Sequence, residues 1–95
     1  MAQIDVQTTP TGEGWSFNVT VSEGSSQTTH RVKMTHDAYQ DLSGEACTPD
    51  ELVRRSFEFL LEREPKESIL REFDITVISR YFPYYETEIK KRLRT

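Results

Sequence analysis

The run Thr48-Pro-Asp-Glu-Leu-Val-Arg-Arg-Ser-Phe-Glu-Phe-Leu-Leu-Glu-Arg-Glu-Pro65 most constrains what this chain can fold into, because both ends of a helix are written in it. Pro49 takes the first helical position, where no amide donor is needed, and Thr48 with Glu51 has the spacing of a capping box. Pro65 ends or kinks the run, since its ring clashes with the carbonyl one turn back. At about 100° per residue, Leu52, Val53, Ser56, Phe57, Phe59 and Leu60 span an arc of about 160°, which Leu61 widens to about 200°. A helix resting on one neighbour needs only a little over about 100°. This helix is therefore expected to bury two sides, against a sheet and later helices or against a sheet and another subunit. Glu51 with Arg55, and Arg54 with Glu58, fall at i,i+4 on the remaining face and read as solvated ion pairs.

Upstream the period changes. In Trp15-Ser-Phe-Asn-Val-Thr-Val21 the apolar residues alternate with polar ones, as in a strand with one buried face. A second alternating run places His30, Val32 and Met34 on one face and Thr29, Arg31 and Lys33 on the other. With Glu23-Gly-Ser-Ser26 as the turn, the two runs are expected to form an antiparallel hairpin over 15–34. Residues 1–14 are left open between a short strand at Ile4 and Val6, followed by a Thr-, Pro- and Gly-rich loop, and partial disorder. The segment 36–93 is read as helical. Thr35 caps a helix from His36 to Leu42 that ends at Ser43-Gly44, the capped helix follows, and Lys66–Glu72 is a further short helix. The β-branched run Ile75-Thr-Val-Ile78 suits strand or helix. Helix is preferred, with Asp74 as cap, because Ile75, Ile78 and Phe82 recur at helical spacing. Pro83 then opens a last helix lined by Tyr85, Ile89 and Leu93. The expected fold is α+β within a single domain, 1–95: an N-terminal antiparallel β-hairpin of two or three strands packed against three or four short C-terminal helices.

The chain has 95 residues, with 12 basic against 16 acidic side chains and a net charge of −4, which disfavours non-specific binding to nucleic acid or to an anionic membrane. Cys47 is the only cysteine. It permits no internal disulfide, and with no secretory pattern and no membrane-length apolar run, a cytoplasmic location is expected. The basic cluster Lys90, Lys91, Arg92 and Arg94 suits the negative end of a final helix.

Residues able to carry chemistry are few. His30, His36 and Cys47, with Glu45 nearby, are the only set resembling a metal site or a Cys–His nucleophile pair, and their spacing matches no paired-ligand pattern. No Gly-rich phosphate loop is present. No catalytic residue, metal or cofactor is therefore assigned. The most unusual local composition is Tyr81-Phe-Pro-Tyr-Tyr85, since tyrosine is favoured at interfaces. Tyr81, Tyr84 and Tyr85, with Phe59 and Leu61 from the wide helix arc, are the candidate protein-docking residues. The competing expectation packs Phe82 and Tyr85 inward and leaves Tyr81 and Tyr84 half exposed.

The order strand, short helix, loop, capped helix across His30–Glu64 resembles the ribbon-helix-helix family of DNA-binding proteins. That resemblance implies a dimer whose paired strands read the major groove through Thr29, Arg31 and Lys33, with Thr48 and the following amides on phosphate. The stretches Glu51–Pro65 and Phe73–Pro83 are also similar to small bacterial proteins of unassigned function, which implies no activity. The functional expectation is a small non-enzymatic interaction or regulatory domain acting on a protein partner or on a second copy of itself. A ribbon-helix-helix-like regulator, with nucleic acid as its partner, is the alternative.

Overall fold

Period-two alternation builds more of this molecule than the hairpin alone. The computed structural model describes residues 2–44 and 46–93. Its strands are β1 (Gln3–Pro10), β2 (Gly14–Glu23), β3 (Ser26–Thr35) and β4 (Glu72–Asp74), in the spatial order β1-β2-β3-β4. β1 and β3 flank β2 in antiparallel fashion, whereas β4 lies parallel to β3, pairing Arg31 with Glu72 and Lys33 with Asp74. The helices are α1 (His36–Ser43), α2 (Pro49–Leu61), α3 (Ile78–Tyr81) and α4 (Tyr85–Leu93), with 3₁₀ turns at Lys66–Ser68 and Ile75–Val77.

The α+β class is therefore as expected, but its layout differs. The sheet is mixed and four-stranded where a hairpin of two or three strands was expected, and the helices are interrupted by β4 where 36–93 was read as helical. β4 could not be seen in a three-residue segment, because its pairing is fixed by a strand some 40 positions away: the Arg31 amide donates to the Arg71 carbonyl at 2.7 Å. The short helix expected over Lys66–Glu72 is reduced to the 3₁₀ turn Lys66–Ser68, and Glu72 belongs to β4. Residues 3–10 form a full strand, because Ile4 and Val6 continue the inner row beside Val21 and Val19. The ambiguous stretch 75–82 is helical as far as Tyr81, as a 3₁₀ turn running into α3 with Phe82 leaving the helix, and Asp74 caps it by accepting from the Thr76 amide at 3.0 Å.

The core lies between the inner sheet face and the helices. Phe17, Val19, Val21, Val32 and Met34 face α2, whose Leu52, Val53, Ser56, Phe57, Phe59 and Leu60 are all buried, as the wide arc requires. The second side of that arc is taken by α4, through Tyr85 and Ile89. Thr35 caps α1 by accepting from the Ala38 amide at 3.1 Å, and Gly44 ends it at φ 57, a conformation costly for residues bearing a Cβ. The capping box of α2 does not form. Thr48 has extended backbone but no side-chain cap bond, and Glu51 instead meets Arg55 at 3.0 Å and Arg54 at 3.8 Å. Arg54 thus faces back to Glu51 and not forward to Glu58, which pairs with Arg55 at 3.5 Å.

Where β1 turns into β2, the Thr11 amide donates to the Gly14 carbonyl at 2.9 Å, and a Cβ on Gly14 would lie 2.1 Å from the Met34 carbonyl oxygen. Only glycine fits there without moving backbone. Gly14→Ala is expected to destabilise the fold by about 1–3 kcal/mol, the usual cost of overpacking, read as a lower urea midpoint. An unchanged midpoint would show that β2 and β3 separate easily at this end.

A candidate docking groove

The loop between α2 and β4 is held down by two polar residues that are themselves buried. Lys66 sets its Nζ 2.8 Å from Glu67 and 3.3 Å from Glu23 at the β2–β3 turn; the carboxylates raise its pKa, the Glu67 hydrogen bond foremost. His30, on the inner face of β3, donates from Nδ1 to the Leu70 carbonyl at 2.8 Å. Because a carbonyl can only accept, the proton sits on Nδ1, and the neutral Nε2 accepts from the Thr28 hydroxyl at 2.8 Å. The ring also packs on Phe57, 5.3 Å between centroids.

The loop fixed in this way forms one wall of an open groove of about 370 Å³. Leu60 and Glu64 line it from α2 and the turn after it, Ile69, Leu70 and Phe73 from the loop and β4, and Val77, Ile78, Tyr81 and Phe82 from the α3 region. Its floor is buried, but Leu70 and Tyr81 on its rim are 46% and 66% exposed. Among the described residues Glu64 is its only charged lining residue, and no ion pair ties that carboxylate to another of them.

The tyrosine cluster divides three ways. Tyr81 stands on the rim of the groove. Tyr84, 51% exposed, lies outside it: the Arg63 Nε donates to its hydroxyl at 3.1 Å while the Arg63 guanidinium stacks 3.7 Å over the Phe59 ring. Tyr85 is fully buried and unavailable for docking, as is Phe59. Both belong to the core because α4 covers the second side of α2. Ser56 donates to the Leu52 carbonyl at 2.8 Å, so the 2.6 Å contact between Ser56 and Tyr85 must be donated by the tyrosine hydroxyl. Burial pushes that hydroxyl well above its ordinary pKa. Leu61 is half-buried in a separate depression between α2 and β1, with Ile4, Arg54, Glu58 and Glu62 around it.

The other sequence candidates are dispersed. Thr29, Arg31 and Lys33 are exposed on the outer sheet face, where Arg31 sits 3.8 Å from Glu72. Thr48 is exposed before α2. His36 opens α1 and packs edge-on against Trp15 at 4.7 Å. Cys47 lies in the loop before α2, its carbonyl accepting from the Tyr39 hydroxyl; burial first, then Glu51 and Asp50, push its thiol pKa up, which disfavours a thiolate nucleophile. Glu45 and Arg94 lie outside the described residues. Among the described residues, no three His, Cys, Asp or Glu side chains gather as metal ligands.

The groove was missed in the sequence because its lining comes from four elements. Of its lining, only Tyr81 was named in advance as a docking residue, and Leu70, expected to turn inward, is instead 46% exposed. No family model matches the chain, nor does any curated protein or solved structure.

Two outcomes follow from these contacts. Tyr85→Phe removes one donor while Ser56 keeps Leu52, so a loss of about 0.5–1.5 kcal/mol is expected in urea unfolding, whereas Tyr85→Ala should cost about 3–5 kcal/mol through the cavity left behind. Equal losses would mean the ring packs loosely. For His30, burial leads the lowering of its pKa below 6.5, with Arg71 adding to it and the Leu70 bond opposing. The unfolded chain then binds the proton first. Stability is full above about pH 6.5 and is lost as pH falls from there toward the lowered folded-state value. His30→Gln should flatten that slope between about pH 7 and 5.5; a slope that persists would assign it to other groups.

Proposed function

We propose that this chain is a small, non-enzymatic protein-association domain of the cytoplasm, docking a partner segment in the groove between α2, the loop before β4 and α3. The observation that carries this reading is the pairing of an apolar floor with two exposed apolar rim residues, Leu70 and Tyr81, the loop of Leu70 being held to the sheet by the buried His30 and Lys66. Exposed apolar side chains are ordinary when single, but two at the mouth of one apolar groove mark a binding surface. Its volume lies near the lower end of the roughly 300–1,000 Å³ typical of ligand sites, and its lining is mainly apolar, with Glu64, Ser68 and the Tyr81 hydroxyl as its polar side chains. Glu64 as its sole charge favours a partner segment with an apolar anchor beside a lysine or arginine. The similarity to small bacterial proteins of unassigned function belongs to this proposal and names no partner.

Among the described residues no helix is long and apolar enough to cross a membrane. The DNA-binding reading gains no support from the sheet: β3 is paired on both sides over Arg31–Lys33, so a two-chain ribbon would require β4 to leave. We do not advance it.

The test is selection from a displayed peptide library. Selected peptides should share an apolar residue next to a basic one, and Tyr81→Ala should weaken them by about tenfold or more, the effect of losing an interface hot spot. Tyr84→Ala, outside the groove, should leave binding within about twofold. Indifference to Tyr81, or selection of acidic peptides, would overturn the reading.

A further inference from the structure

The outer edge of β1 is eight residues long and has no neighbouring strand among the described residues. Backbone groups of successive residues alternate between the two sides of a strand. Since Thr11 bonds Gly14 of β2, the odd-numbered residues of β1 face β2, and Ile4, Val6 and Thr8 turn their amides and carbonyls to the open edge. Two observations agree with that assignment. Pro10, which has no amide to offer, falls on the open side, and the Arg54 guanidinium reaches the Ile4 carbonyl from α2. Beside this edge the inner-row residues Ile4 and Val6 and the helix residue Leu61 remain half-buried, packed on the core but incompletely covered.

We propose that this edge is the interface for a second copy of the chain, added antiparallel to itself about a twofold axis at Val6. What identifies the occupant is self-complementarity. With Val6 opposite Val6 of the second copy, Ile4 meets Thr8, Asp5 meets Gln7 and Gln3 meets Thr9. Each open amide from Ile4 to Thr8 finds a carbonyl, and the Ile4 carbonyl can keep Arg54 on its other lone pair. Pro10 falls opposite Ala2, at the end of the pairing, where its missing donor matters least. Neighbouring registers are worse. A shift of two residues one way sets Asp5 directly against Asp5, and a shift the other way sets Ile4 against Pro10 and forfeits a donor at both ends. The pairing continues the sheet through both copies and covers Ile4, Val6 and Leu61. This surface is distinct from the groove, and its occupation does not depend on a partner there.

Gln7 supplies the test, because its side chain lies on the exposed outer face and is opposite Asp5 in this register alone. Sedimentation equilibrium or light scattering of the parent chain, from about one to several hundred micromolar, should show a monomer–dimer equilibrium. Gln7→Lys should tighten it and Gln7→Asp weaken it, each by about two- to thirty-fold for two cross-strand charge pairs per dimer, with both effects shrinking at high salt. Hydrogen exchange at the Val6 and Thr8 amides should slow as concentration rises. A parent that stays monomeric overturns the proposal, and so does a dimer indifferent to both Gln7 variants or one that leaves those amides unprotected. Circular dichroism of the variants checks that the fold is kept, and Thr9→Lys, opposite the uncharged Gln3 and only diagonal to Asp5, serves as a charge control expected to shift the equilibrium less than Gln7→Lys does.

Discussion

The arrangement of this fold depends on the one-sided burial of β3. Its inner row, Thr28, His30, Val32 and Met34, is closed to water, while Thr29, Arg31 and Lys33 lie in it. Two consequences follow from that alternation. An inner face this apolar must be covered, and α2 supplies the matching face with Phe57 against the His30 ring. A buried histidine in that row must also satisfy both ring nitrogens, because an unpaired polar group there would cost about 1–3 kcal/mol. Thr28 satisfies one within the strand. The other requires the Leu70 carbonyl, and so draws the loop after α2 back onto the sheet.

That tie explains the parts of the structure that sequence reading could not supply. Local signals predicted elements bounded by their own residues: the α2 arc, the cap of α1 at Thr35, the stop at Gly44 and the Asp74 cap each use partners within four positions. β4 uses none. Glu72-Phe73-Asp74 carries no strand signal, and it becomes a strand only because the His30–Leu70 bond and the Arg31–Arg71 backbone bond set it alongside β3. The same tie builds the groove, whose lining runs from Leu60 to Phe82 and has no compact sequence signature. The capping box failed for the opposite reason. Thr48 and Glu51 have the right spacing, but Arg54 and Arg55 compete for the Glu51 carboxylate.

The aromatic cluster shows how composition misleads about exposure. Tyr81, Tyr84 and Tyr85 are neighbours in sequence, yet they meet solvent, a cation and the core respectively. Helical geometry separates them: α3 ends at Tyr81, α4 begins at Tyr85, and the intervening Pro83 forces a change of direction. Tyr85 then turns toward Ser56, the only polar residue on the buried arc of α2, where a hydroxyl pair is satisfied without water. Tyr84 is left against Arg63, whose guanidinium lies 3.7 Å from the Phe59 ring and 5.2 Å from the Tyr84 ring, the two rings standing 5.9 Å apart. A ring held from one side in this way has less freedom to adapt to a partner than Tyr81, which no cation clamps among the described residues.

The two ends of the sheet differ in what they can offer another chain. β4 pairs only over Arg31–Lys33 and is flanked by 3₁₀ turns, so its outer edge is too short to template further strands. β1 is long, but it is bounded by Pro10 and guarded at Ile4 by Arg54, which confines exposed backbone to its middle. A sheet with one long edge and one short edge can add a single copy through the long edge. Twofold pairing then consumes the long edge of both copies and leaves only the two short ones outside. Association through β1 is therefore closed by its own symmetry, and the geometry that would permit a dimer also prevents a fibre.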